Sequence, residues 1–154
     1  MAVKFVKSAG TITEPATIDM LGSGVIYANS IVIRDVASNA VSTAASTAMT
    51  TTNIVGVSLD YIQGASDSFI RVIPFVPGQI WEVDTANAIT TAQLLLRHTM
   101  VNSLVVRNIT NTYETGTTGI FFAYAITGAS TGSAKMLGTF LSWTPLKGGV
   151  YASP

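Results

Sequence analysis

The chain has 154 residues, enough for one domain with its own core, and carries eight acidic and eight basic side chains. Only 10% of residues are charged, against about a quarter in typical soluble domains, and polarity comes instead from 21 Thr and 14 Ser. Zero net charge without a basic run argues against nucleic-acid binding, no stretch supplies the ~20 apolar residues of a membrane-spanning helix, and the lack of Cys removes disulfide and thiol chemistry.

Residues 1–15 read as an N-terminal arm. Lys4, Phe5, Val6 and Lys7 precede Gly10, and Pro15 disfavours helix at Glu14. The alternative is a first strand tucked into the protein's own sheet. The opening MAVKFVKSAGTITEP has no apolar h-region, so no secretory signal is expected.

Residues 16–154 read as a single β domain. Residues 27–36, YANSIVIRDV, form a β-branched strand after Gly22-Ser23-Gly24. Residues 38–53 are rich in Ser, Thr and Ala without an apolar stripe and read as a long loop. Three strands follow over 54–62, 69–76 and 79–84. In the first, Val55, Val57, Leu59 and Tyr61 alternate with Gly56, Ser58 and Asp60, the period of a half-buried strand. Residues 63–68 carry turn chemistry, and Pro77-Gly78 marks another turn. Pro74 cannot donate to a ladder, so an edge, bulge or bend is expected there. Residues 87–98 hold Ile89 and Leu94 to Leu96 and read as at most one short helix.

The second half echoes the first. Asn29-Ser30-Ile31-Val32-Ile33-Arg34-Asp35 resembles Asn102-Ser103-Leu104-Val105-Val106-Arg107-Asn108, and Gly64-Ala65-Ser66 matches Gly128-Ala129-Ser130. This suggests two copies of one unit, 27–76 and 100–141. The expected fold is all-β, mainly antiparallel and barrel- or sandwich-like.

Candidate chemistry is sparse. His98 is the only histidine, and one His without Cys makes no typical zinc site. No G-x-S-x-G elbow occurs. Glu82 and Asp84 share one face of a strand, the pattern of a solvated surface rather than an acid–base pair. The glycine pairs lack the Lys of a phosphate loop. The Asn108-Ile109-Thr110 sequon has no secretory context. We therefore expect no enzyme, no cofactor and no metal. Phe75 and Trp81 flank the Pro77-Gly78 turn; each reads as core or as an anchor of an oligomer interface. A surface so poor in charge suggests that neighbouring protein covers part of it.

Residues 31–84 resemble the head decoration (cement) proteins of tailed bacteriophages, the lambda type included. The likeness covers about a third of the chain and follows a soft pattern. It runs from a short strand, Ile31–Asp35, through a Thr-rich linker over 38–53 to Ile54-Val55-Gly56-Val57. A polar turn over 63–68, an alternating strand over 69–75 and the aromatic-acidic Ile80-Trp81-Glu82-Val83-Asp84 complete it. The resemblance implies a non-enzymatic virion protein on the capsid exterior, made in the host cytoplasm. It implies a homotrimer bracing the major capsid protein. It also implies a capsid-facing arm, with Lys4, Phe5, Val6, Lys7 and Ile12 as contacts, and Phe75, Pro77 and Trp81 at the oligomer interface. The other virion reading is a tail or fibre module binding a host glycan through an exposed Trp81 or Trp143.

Overall fold

A computed structural model describes residues 3–8, 15–35, 40–43, 49–63, 68–85, 88–102, 109–114, 119–128 and 134–142. Within them lie eleven strands: β1 (Val3–Lys7), β2 (Ile18–Gly22), β3 (Ile31–Asp35), β4 (Ala40–Thr43), β5 (Ile54–Ser58), β6 (Ser68–Pro74), β7 (Ile80–Asp84), β8 (Arg97–Asn102), β9 (Ile109–Glu114), β10 (Phe121–Gly128) and β11 (Lys135–Phe140). The only helical turn among the described residues is a 3-10 turn at Thr91–Gln93. The fold is all-β, as the alternation and turn chemistry require.

Strands β2 to β6 close into a five-stranded barrel in the order β2-β4-β3-β5-β6. Its seam has two parts. Strand β2 runs antiparallel to β6 from Ile18–Val72 to Gly22–Ser68, and it meets β4 in parallel where Gly22 lies beside Val41. The remaining strands form a six-stranded antiparallel sheet in the order β1-β7-β11-β10-β8-β9.

The two halves share one strand order. In the barrel, β4-β3-β5-β6-β2 are successive neighbours; in the sheet, β9-β8-β10-β11-β7 are. Every one of these pairings is antiparallel. The common unit is therefore larger than the sequence echo suggests, because β2 and β7 belong to it. Gly128 ends β10, whereas Gly64-Ala65-Ser66 and Ala129-Ser130 lie outside the described residues. The other echo is out of step. It sets residues 29–35 against 102–108, whereas the counterpart of β3 is β8, which ends at Asn102.

Apolar residues form two clusters. Ile26, Val32, Val41, Val55, Ile70 and Val72 fill the barrel interior, with Met20 and Ile62 against them. A larger core joins barrel to sheet: Ile31, Ile54, Val57, Ile73 and Phe75 meet Val3, Trp81, Val83, Met136, Phe121 and Phe140. The hydroxyl of Ser142 donates to the Ile54 carbonyl at 2.9 Å and ties the end of the sheet to the barrel.

Several expectations are corrected here. Strand β5 is buried throughout, not half-buried. The pairing with β3 slips between Val32–Gly56 and Ile33–Ile54, leaving Val55 as a bulge. That extra residue breaks the period of two, so Val55 enters the barrel while Val57 packs toward the sheet. The stretch read as a loop contains β4, whose Val41 supplies the apolar contact. The strand expected over 27–36 starts only at Ile31, two residues after Asn29, which takes a left-handed φ of 62°. Residues 3–7 of the presumed arm are a sheet strand: β1 pairs with β7 from Val3–Val83 to Lys7–Ile80. Residues 9–14 lie outside the described residues.

Two glycines have a steric reason. Gly78 takes φ 88° after Pro77, as the third residue of a type II turn must. Gly56 faces the backbone of β6: a β-carbon there would collide with the Ile73 carbonyl oxygen and lie 2.8 Å from Val72 Cγ1. Neither neighbour can withdraw, since Val72 is barrel core and Ile73 belongs to the ladder. Gly56→Val should therefore lower stability by about 3 kcal/mol or more in urea unfolding, at the upper end of overpacking costs.

Candidate interaction surface

Trp81 is 1% exposed and sits on the inner face of the sheet. Its ring meets Phe5 at 5.4 Å, Phe75 at 5.4 Å and Phe140 at 5.9 Å, all edge-on. The indole N–H donates to Gln79 Oε1 at 3.2 Å. The same Oε1 accepts the Val76 N–H at 3.0 Å, and Gln79 Nε2 donates to the Pro74 carbonyl at 3.0 Å. One buried amide thus satisfies the indole and fixes the turn between β6 and β7. Trp81 offers no surface, which corrects its reading as an interface anchor. Phe75 is buried as well, stacked on Phe140 at 4.3 Å. Of the three interface candidates only Pro77 is exposed.

Strand β1 splits its candidates by face. Phe5 and Val3 turn toward the core, whereas Lys4, Val6 and Lys7 are exposed. The register slips between Phe5 and Lys7, so Val6 is a bulge residue and shares the outside with its lysine neighbours. Ile12 lies outside the described residues, as does Trp143.

The outer face of the sheet mixes ion pairs with apolar patches. Lys135 Nζ lies 3.7 Å from Glu82 Oε1 and 3.5 Å from Asp84 Oδ1. Thr127 donates to Glu82 at 3.3 Å. The two carboxylates therefore serve a cross-strand cation. Near the Pro77-Gly78 turn an open cleft of about 220 Å³ is lined by Phe75, Pro77, Ile80, Tyr124, Phe140 and Leu141.

Composition alone did not mark the most exposed apolar side chains. Phe69 is 74% exposed, Leu95 67% and Tyr61 52%. Phe69 alternates with buried Ile70 and lies beside Leu21 on the barrel exterior. Tyr61 packs against Tyr27 at 5.4 Å. The signal that could have found Phe69 was its place in an alternating strand, on the face opposite Ile70 and Val72. On the same exterior Arg71 bonds Asp60 through its side chain, Nη2 to Oδ1 at 2.7 Å, and through its backbone N–H. These bonds hold the Asp60 carboxyl below its usual range.

His98 is fully buried in β8. Its Nε2 lies 3.0 Å from the Gln93 carbonyl oxygen, to which an N–H donates. Burial pushes its pKa down, opposed by that hydrogen bond. The ring therefore braces the 3-10 turn against β8. Among the described residues no group of three or more His, Asp or Glu could hold a metal ion.

Two predictions follow from these placements. Phe5→Ala should cost about 2 kcal/mol of thermal stability, being half-buried against Trp81. Lys4→Ala and Lys7→Ala should each stay within about 0.5 kcal/mol. For His98, whose folded pKa lies below the unfolded value of about 6.5, the unfolded chain binds the extra proton. Stability should be level above pH 7 and fall as the pH drops below about 6.5, at up to ~1.4 kcal/mol per unit. His98→Gln should flatten that slope, which urea titrations from pH 7.5 to 5 would register. Against known proteins, no family model, no curated protein and no solved structure matches this chain.

Proposed function

We propose that this protein is a structural virion component, a decoration or cement protein that braces the major capsid protein shell of a tailed bacteriophage from outside. The observation that carries the reading is the surface. Large apolar side chains stand exposed on barrel and sheet alike, Phe69, Tyr61, Leu95 and Tyr124 among them, in a chain with only 10% charged residues. A surface of this kind is stable when neighbours cover it from more than one side. The resemblance over residues 31–84 supports the same reading; that span runs from β3 to β7 and includes most of the barrel.

Bracing works by linkage. A protein that binds the expanded shell and not its precursor stabilises the expanded form by mass action. Interfaces of about 1,600 Å² each, repeated by symmetry, resist internal pressure without any one contact being strong. Lys4, Val6 and Lys7 present their side chains on β1 for such a contact. Copies act as trimers on three-fold positions of the shell, in keeping with the resemblance, and no catalytic step is involved. The glycan-binding alternative loses one of its two proposed platforms, because Trp81 is buried.

The test mixes purified protein with expanded, undecorated capsids of the phage that encodes it. Cosedimentation should saturate at a stoichiometry fixed by shell symmetry, and decorated capsids should survive heating that opens bare ones. Failure to bind both expanded and precursor capsids would overturn the proposal.

A further inference from the structure

The two five-stranded units end differently. In the first, β2 and β4 meet and close the barrel, Gly22 beside Val41. The corresponding strands of the second unit are β7 and β9. They do not meet, because β1 lies along the edge of β7 that closure would need. Among the described residues no strand lies beside the outer edge of β9, and none beside the outer edge of β1.

An uncovered edge presents a row of unpaired N–H and C=O groups, and proteins usually blunt it with Lys, Pro or a bulge. Strand β9 has none of these. Its sequence, ITNTYE, pairs with β8 over six residues without a slip, from Asn102–Ile109 to Arg97–Glu114. Four of its six residues, Ile109, Thr110, Thr112 and Tyr113, are strand formers. Strand β1 is one residue shorter, bulged at Val6 and of opposite charge: VKFVK carries Lys4 and Lys7, whereas the one charge of β9 is Glu114.

Direction also fits. All neighbours in the six-stranded sheet are antiparallel, so its first and last strands, β1 and β9, run opposite ways. A second copy, rotated about an axis along the strands, brings its β1 antiparallel beside β9 of the first. The ladder then continues in the same alternating sense.

We propose that the outer edge of β9 takes β1 of a second copy of this chain, so that the sheet runs from copy to copy in a head-to-tail ring. Closure within the chain, which completes the first unit, is replaced in the second by closure between chains. Such a heterologous contact forms a ring where the rotation closes, and backbone bonds across the joint give it strength. The inference goes beyond the capsid reading and stands or falls without it, since no capsid takes part in its test.

The chain has no native cysteine, so engineered pairs report contacts cleanly. Val6→Cys would be combined in turn with Asn111→Cys and Thr112→Cys, oxidised mildly and run on non-reducing gels, alongside light scattering of the unmodified protein. The expected result is a solution mass of at least three chains of 16.1 kDa and disulfide-linked multimers from a double variant but from no single one. Adjacent residues of a strand point their N–H groups to opposite sides. Of Asn111→Pro and Thr112→Pro, one should therefore disrupt the β8–β9 ladder, and the other should yield a folded monomer with near-native melting. A wild-type mass of 16.1 kDa at every concentration would overturn the proposal. So would a covalent dimer from Asn111→Cys or Thr112→Cys alone, which would pair β9 with β9 instead.

Discussion

Trp81 is the point where three parts of the chain meet. Phe5 reaches it from β1, Phe75 from the end of β6, and Phe140 from β11. The barrel could close without the sheet, and the sheet could pair without the barrel. Neither could hide its apolar outer or inner face alone, and Ile31, Ile54, Val57 and Ile73 of the barrel need the sheet as cover. A buried indole requires a partner for its N–H. Gln79 provides that partner and at the same time secures the turn carrying the chain from one unit into the next. Packing, hydrogen bonding and chain direction are thus settled by one short segment.

The same segment was the most legible part of the sequence. β5, β6 and β7 announce themselves through β-branched runs, polar turn residues and Pro77-Gly78, and their ends lie within a few residues of the expected ones. What escaped was everything that depends on a strand's second neighbour. Period-two alternation assumes one buried face; β5 has two, and the bulge at Val55 redirects its side chains in a way no local pattern encodes. β4 hid among Ser and Thr because a strand needs only Val41 pointing inward once β3 and β2 flank it. The likeness between residues 29–35 and 102–108 starts where β8 ends, at Asn102; strand order, a three-dimensional property, relates β3 to β8. Phe5 could be read as arm or as strand until its contact with Trp81 was seen. Interface candidates chosen for their aromatic rings fared worst, since large rings next to a turn are what a junction core also demands.

Among the described residues, buried polar groups are few, neutral and locally matched. Ser58 bonds the backbone around Asp60, Gln79 serves Trp81, and His98 donates to the Gln93 carbonyl. Ion pairs such as Arg71–Asp60 and Lys135 with Glu82 and Asp84 lie on the outside. Pairs of that kind contribute little to stability and are screened by salt. The fold therefore rests on apolar packing.

The barrel seam has a consequence for how the molecule comes to exist. Ile18 must find Val72, and Gly22 must find Val41 before the ring of five strands is complete. Pairings between residues so far apart lose much chain entropy before any contact compensates for it, and proteins dominated by them fold on the slow side of the small-domain range. During that delay the Val- and Ile-rich β3 and β5 are open to other nascent chains. The ribosome releases the first unit before the second, so the interval of greatest exposure falls while Trp81 and its neighbours are still being synthesised. Rapid, crowded production of many copies would make chaperone capacity, rather than final stability, the quantity that limits yield.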